Sequence, residues 1–196
     1  QCSLPGARSV KDNDAAEARA TESAGGYRGI LVKTLLLMRH AKSDWSDAEQ
    51  SDFDRPLNKR GRTDAPRIAS LFGPDGVEVE FVLSSAANRA RQTAELLIES
   101  SRLGIKPQFD EQLYLADSPT LSQAVRSAED RCESGLVVAH NPGMEDWLAD
   151  LSGSQLRFPT AALACVRLNV DRWSDVADGC GQLQWFVTPR LLRGAL

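Results

Sequence analysis

The stretch Thr34-Leu35-Leu36-Leu37-Met38-Arg39-His40 limits what this chain can become more than any other: four apolar residues run unbroken, then two groups suited to an anion follow at once. An apolar run bounded by polar residues is the pattern of a strand covered on both faces, and such strands belong to parallel sheets sandwiched by helices. Arg39 and His40 leave the strand at its carboxyl end, where open α/β sheets form ligand crevices because loops converge there over rigid strands. A second run, Gly135-Leu136-Val137-Val138-Ala139, also ends in a histidine, His140, and the chain has no third. Both imidazoles are expected at the same edge of one sheet.

The rest of the chain alternates strand and helix signals. A helix is expected over Thr63–Phe72, with Ile68, Leu71 and Phe72 as its apolar stripe and Gly73-Pro74 as its stop. Val79–Ser84 reads as a strand, followed by a helix with Ala94, Leu97 and Ile98 inside. Ser118-Pro119 opens a further helix, Ser118 as its cap and Pro119 at its first position. Pro107 to Asp110 suits a short strand, Trp147, Leu148 and Leu151 suit a helix, and Leu163–Val170 and Leu183–Val187 suit late strands. This alternation predicts an α/β three-layer sandwich around a mostly parallel central sheet. With 196 residues, 42% of them hydrophobic, one well-buried domain is expected. Residues 1–30 mix charges with Ala, Gly and Ser without an apolar period, and are expected to form a disordered leader ahead of a domain spanning 31–196.

Several classes are set aside by composition. A net charge of −4 argues against nucleic acid as partner. No apolar stretch approaches the roughly 20 residues of a membrane span. Cys2, Cys132, Cys165 and Cys180 show no CxxC spacing, so reduced, partly buried thiols are expected rather than a metal site or a disulfide framework. The acidic residues of the leader fit an organelle-targeting segment badly, yet a start at Gln1 suggests that something upstream has been removed. The expected compartment is the cytoplasm, with a plastid as the alternative, and a monomer is expected.

Three elements now direct cationic or ionisable groups at one crevice: Arg39-His40 from the first strand, Arg89 from the second strand's end, and His140 from the fourth. Guanidinium forks match the oxygens of a phosphoryl group. A neutral imidazole can attack phosphorus and carry it as a covalent intermediate, and nearby cations keep it neutral. A second, charged imidazole can donate to the charge that spreads over the transferring group, with no metal or cofactor needed. The long polar loop 41–58 is expected to be functional or disordered, by its length and charge; in it Lys42 and Ser43 either contact phosphate or shape the turn, and Arg55 is either a surface ion pair or a substrate contact. Arg60, Arg62 and Arg91 are expected to be ordinary surface groups, the four tryptophans packing or rim residues, and Cys132 a buried hydrophobe.

The motifs resemble those of the histidine phosphatase (phosphoglycerate mutase-like) superfamily. Met38-Arg39-His40-Ala41-Lys42-Ser43 is similar to its signature, and Asp54-Arg55-Pro56-Leu57, Lys59-Arg60-Gly61, Arg89-Ala90-x-Gln92-Thr93 and His140-Asn141-Pro142-Gly143 resemble its SixA-type branch of phosphohistidine phosphatases. The resemblance implies His40 as the phosphorylated nucleophile, with Arg39, Arg89 and His140 as the phosphate pocket; Lys42, Ser43, Arg55 and Asn141 are the candidate substrate contacts. It departs from the larger members at Ala41, where they carry Gly, at Ser46, where the mutases carry Asn, and at Asn141-Pro142, where acid phosphatases place an acid. Without that acid a phosphoester would expel an alkoxide unaided, whereas a phosphohistidine leaves as an imidazole whose other nitrogen carries a proton. A protein phosphohistidine is therefore the expected substrate, with Asp44, Asp117 and Glu145 as remaining acid candidates. The alternatives are a broad small-molecule phosphomonoesterase, a phosphate-binding domain without turnover, and, with least support, a serine hydrolase pairing Ser84 or Ser85 with His140.

Overall fold

The computed structural model describes residues 32–73 and 76–193, so the expected leader at 1–30 lies outside the described residues. In chain order the elements are β1 (Lys33–Arg39), α1 (Lys59–Ala69), β2 (Phe81–Ser85), α2 (Asn88–Ser101), β3 (Gln108–Asp110), α3 (Ser118–Arg126), β4 (Ser134–Ala139), α4 (Gly143–Ser152), β5 (Leu163–Leu168) and β6 (Gly181–Val187). They form one six-stranded sheet in the order β3-β2-β4-β1-β5-β6. The first four strands in sequence run parallel to one another, whereas β5 and β6 are antiparallel additions at the far side. This is the expected sandwich with a mostly parallel sheet.

β1 is the axis of the core. Successive strand side chains point to opposite faces, and Leu35, Leu36, Leu37 and Met38 are all at 0% exposure because both faces are covered. Leu35 and Leu37 pack with Trp147 and Leu148 of α4 and Leu121 of α3. Leu36 and Met38 pack with Ile68 of α1 and Ala94 and Leu97 of α2. Truncating any one of these leucines to Ala is expected to cost about 2–5 kcal/mol.

Register does the rest. β1 pairs with β4 so that Arg39 stands opposite Ala139, and the amide of His40 bonds the carbonyl of Ala139 at 3.0 Å. The two histidine-ended strands are neighbours in step, so both imidazoles leave the sheet side by side.

Several boundaries differ from expectation for local reasons. α1 begins at Lys59 rather than Thr63, because Asn58 caps it by accepting from the Gly61 amide at 2.9 Å. Its first turn is polar and carries no apolar signal. The helix ends at Ala69, and Leu71 and Phe72 belong to the turn after it. Gly61 is there for space: a Cβ would lie 2.2 Å from the Lys42 carbonyl oxygen, so α1 can press directly on the chain leaving β1. α3 is capped by Asp117, whose carboxylate accepts from Thr120, so Ser118 is the first helical residue rather than the cap. Cys132, Cys165 and Cys180 are free thiols, as expected. Among the described residues no helix is long and apolar enough to cross a membrane.

Candidate active site

His40 follows β1 and is 7% exposed. Its Nδ1 lies 2.7 Å from the carbonyl oxygen of Ala41. A carbonyl only accepts, so Nδ1 carries the ring proton and Nε2 keeps its lone pair. That nitrogen faces Nε of Arg89 at 3.3 Å. His140, on the neighbouring strand end, has its ring centroid 4.9 Å from that of His40. The expected convergence of the two imidazoles is present.

Arg89 joins them, from the first turn of α2 rather than from the end of β2 itself. Its three nitrogens have separate partners: Nε donates to His40, Nη1 to the carbonyl of Asp52, and Nη2 to the carboxylate of Asp52 at 2.9 Å, with His140 Nδ1 at 3.3 Å. The Arg-Ala-x-Gln-Thr pattern is explained one turn further along the helix. Thr93 accepts the amide of Ala41 at 3.0 Å and donates to the Arg89 carbonyl at 2.6 Å, while Gln92 accepts the amide of Leu57 at 2.8 Å. These bonds lock α2 to both ends of the loop after β1, and with it Arg89 to His40.

Arg39 donates from Nη1 to the Phe158 carbonyl at 2.7 Å, and its Nε is buried without a partner among the described residues. A buried orphan donor on a guanidinium costs free energy unless something accepts from it. Arg55 is no surface group: it is 6% exposed, bonded to Asp52 and to Ser43 Oγ at 3.1 Å, and stacked with its guanidinium carbon 3.4 Å from the centre of the Trp45 ring. Lys42, Ser43, Arg55 and Asn141 all line the same cavity of about 450 Å³ as Arg39, His40, Arg89 and His140. Asn141 donates from Nδ2 to Glu145 at 2.6 Å and to the Phe158 carbonyl at 3.1 Å, while its Oδ1 is buried without a partner among the described residues. Arg60 pairs with Asp64 and Arg91 stacks on Phe109, both away from the cavity, as expected.

The sequence reading missed Asp52, Tyr114 and Leu115 at this cavity. Asp52 is held between Arg89 and Arg55 and accepts from the Tyr114 hydroxyl at 2.7 Å. Partial burial alone would raise its pKa, but the bonds from Tyr114 and Arg55 and the charge of Arg89 outweigh this and hold it down at about 2. Nothing in the spacing singled it out among the six acids from Asp44 to Asp64. Trp45 and Leu115, 69% and 54% exposed, stand at the cavity mouth. Leu115 takes φ +52°, a conformation uncommon for a non-glycine residue, which no local sequence signal announces.

Burial is the main influence on both imidazoles. His40 is pushed down to about 3 by desolvation, with Arg89, Arg39 and Arg55 adding to it and the Ala41 carbonyl opposing. His140 is pushed down to about 2 by desolvation, His40 and Arg89. The expected charged second imidazole is therefore neutral among these protein groups, chiefly because it is buried, with Arg89 and Arg39 adding to this. The acid candidates from the sequence are also corrected. Asp117 caps α3, Glu145 accepts from Asn141, the Phe158 amide and Arg157, and Asp44 accepts the Ser46 amide; none lines the cavity. Ser85 does meet His140, Nε2 to Oγ at 2.8 Å, but it is at 0% exposure and offers no face to an outside acyl group, while the Ser84 hydroxyl bonds the Ser85 carbonyl instead. The serine hydrolase reading is without support. Among the described residues no group of three or more His, Cys, Asp or Glu side chains could hold a metal ion.

The sequence profile of the histidine phosphatase superfamily (branch 1) matches residues 35–116, which include His40 and Arg89. An uncharacterised protein of Mycobacterium tuberculosis is 33% identical over 164 residues, 78% of this chain and 100% of its own length. The chain belongs to the histidine phosphatase superfamily. An uncharacterised chloroplastic protein of Arabidopsis thaliana is 26% identical over 91% of this chain and 86% of its own. Among solved structures, the protein histidine phosphatase SixA complexed with tungstate superimposes with a TM-score of 0.70 at 28% identity, covering 81% of this chain and 99% of that one. Membership of the histidine phosphatases, with neighbours of this kind, supports phosphatase activity and phosphorylated substrates.

Proposed function

We propose that this chain is a metal-independent phosphohistidine phosphatase that carries the phosphoryl group on His40. The observation that carries the reading is the arrangement of His40 itself: a neutral imidazole with Nδ1 held on a carbonyl and its Nε2 lone pair turned toward Arg89, with His140 beside it. The phosphoryl oxygens would be held by Arg39, Arg89 and His140, with Lys42, Ser43, Arg55 and Asn141 around them. Nε2 attacks phosphorus, the bond to the leaving group breaks and takes its electron pair with it, and the P–N bond to His40 forms. Water then attacks the phosphohistidine, releases inorganic phosphate and restores the neutral ring. Arginines stabilise the equatorial charge in both steps, the part that metal ions play in other phosphoryl-transfer sites.

The choice of substrate rests on the acid that the cavity lacks. Its one lining carboxylate among the described residues, Asp52, stays ionised at physiological pH and has no proton to give to an alkoxide. An imidazole leaving group brings its own proton. Exposed Trp45 and Leu115 at the mouth offer apolar surface to a polypeptide carrying the phosphorylated ring. In this reading residues 31–196 are the catalytic unit, acting as a monomer in the cytoplasm. The chloroplastic description of the Arabidopsis relative makes a plastid the alternative.

The test compares kcat/KM on a phosphohistidine protein, a panel of sugar phosphates and p-nitrophenyl phosphate. Loss of general-acid help is worth about 10²–10⁴-fold, so the phosphohistidine should exceed the sugar phosphates by at least about 10²-fold. A preference for sugar phosphates would point to a phosphomonoesterase, and no turnover of any of them to a binding domain.

A further inference from the structure

The Ser85 hydroxyl, at the buried end of β2, is the back partner of the second imidazole. We propose that Ser85 is a positioning residue for phosphoryl transfer, holding His140 by Nε2 so that its Nδ1 edge is presented to the phosphoryl group. The hydrogen bonds require it. Arg89 can only donate, so its 3.3 Å contact with His140 Nδ1 needs a lone pair on that nitrogen, and the ring proton of the neutral imidazole must sit on Nε2. Ser85 Oγ, 2.8 Å away, is the acceptor for that proton. The same oxygen takes the Ala87 amide at 3.3 Å, which fixes it between the end of β2 and the start of α2.

When a phosphoryl dianion enters, the balance at Nδ1 reverses. His40, Arg39 and Arg89 disfavour charge on His140, and Asp52 alone among the named neighbours favours it, with the Tyr114 ring edge-on at 5.5 Å. A dianion against Nδ1 outweighs them, and His140 takes one proton from solvent. Nδ1–H then donates to a phosphoryl oxygen, while Nε2–H stays on Ser85 throughout. An imidazolium needs an acceptor at each nitrogen, and in a buried site the back one has to be built in. Nothing is transferred to Ser85.

The inference rests on His40 as phosphoryl carrier, and the experiment separates the two. Wild type, Ser85→Ala, Ser85→Thr and Ser84→Ala are assayed with p-nitrophenyl phosphate, with acid-labile label on His40 read by rapid quench. In parallel, ¹⁵N spectra of the two histidines are recorded in inorganic phosphate at pH 6, assigned by a His40→Gln variant. Ser85→Ala is expected to lower kcat by roughly 10- to 100-fold, the range for removing the buried partner of a working imidazole, with KM changed less than about threefold. Its His140 resonances should stay neutral where wild type shows both nitrogens protonated. Ser85→Thr should restore both, and Ser84→Ala should stay within about twofold of wild type. Label on wild-type His40 together with a Ser85→Ala variant of unchanged kcat and unchanged His140 spectrum overturns the inference. Absence of label on wild-type His40 overturns the reading beneath it. If Ser85→Ala does not fold, Ser85→Cys keeps the volume with a weak acceptor, and wild-type kcat in that variant overturns the inference equally.

Discussion

Lowering the pH should destabilise this protein well above the range in which carboxylates titrate, because the sheet edge buries two imidazoles in neutral form. Their folded pKa values, about 3 for His40 and about 2 for His140, lie below the roughly 6.5 of an unfolded imidazole. The unfolded chain therefore binds more protons as pH falls, so stability is full above about 6.5 and is lost progressively below it, down toward the folded values. At pH 5.5 each imidazole has stabilised the unfolded state by RT ln(1 + 10), about 1.4 kcal/mol, and the pair by about 2.8 kcal/mol relative to pH 8. The figure does not depend on how far below 5.5 the folded values lie. At about 2–4 °C per kcal/mol for a domain of this size, Tm should fall by roughly 6–11 °C. Asp52, with a depressed pKa, acts only below about 4 and leaves this window alone. Calorimetry at pH 8, 6.5 and 5.5 in a phosphate-free buffer measures the loss, and His140→Gln should remove about half of it. A Tm constant within about 2 °C from pH 8 to 5.5, with ring resonances titrating near 6.5, would refute the burial argument.

Arg89→Lys should lower kcat/KM by about 10³-fold, because a single ammonium cannot replace a guanidinium whose Nε serves His40, whose Nη1 serves the Asp52 carbonyl and whose Nη2 serves both His140 and the Asp52 carboxylate; activity within about tenfold of wild type in steady-state assays would contradict that division of labour. Asp52→Asn should tighten inhibition by vanadate by several-fold, since it removes a like charge that competes with an oxyanion for Arg89 and Arg55. Weaker inhibition would mean instead that the carboxylate chiefly holds the two arginines in place.

How far the sequence reached depends on which signal each residue carried. The Leu35–Met38 and Leu136–Val138 runs are long enough and apolar enough to announce buried strands, and their terminal histidines announced the crevice edge. That β4 inserts between β1 and β2, bringing His140 beside His40, is a matter of sheet order and register that neither run encodes by itself. Helix starts were read late where caps are polar: Asn58 begins α1 before any apolar residue, and Asp117, not Ser118, caps α3. For Arg55 the sequence leaves a surface ion pair and a substrate contact both open, because its burial comes from partners at Ser43, Trp45 and Asp52 that only tertiary folding assembles. Asp52 and Tyr114 were hidden for the same reason, being 62 positions apart and joined by one hydrogen bond. Ser85 offers itself in the sequence only as the least supported nucleophile candidate, and its complete burial behind His140 is a matter of tertiary packing that no local pattern announces.

The central claim is a covalent phosphoryl group on one imidazole, and trapping it tests the claim most directly. Rapid quench of the enzyme with ³²P-labelled phosphohistidine protein, followed by peptide mapping, should give an acid-labile, base-stable label on His40 that is absent from His40→Ala along with turnover. Label on a serine or cysteine, or turnover that persists in His40→Ala, would contradict it.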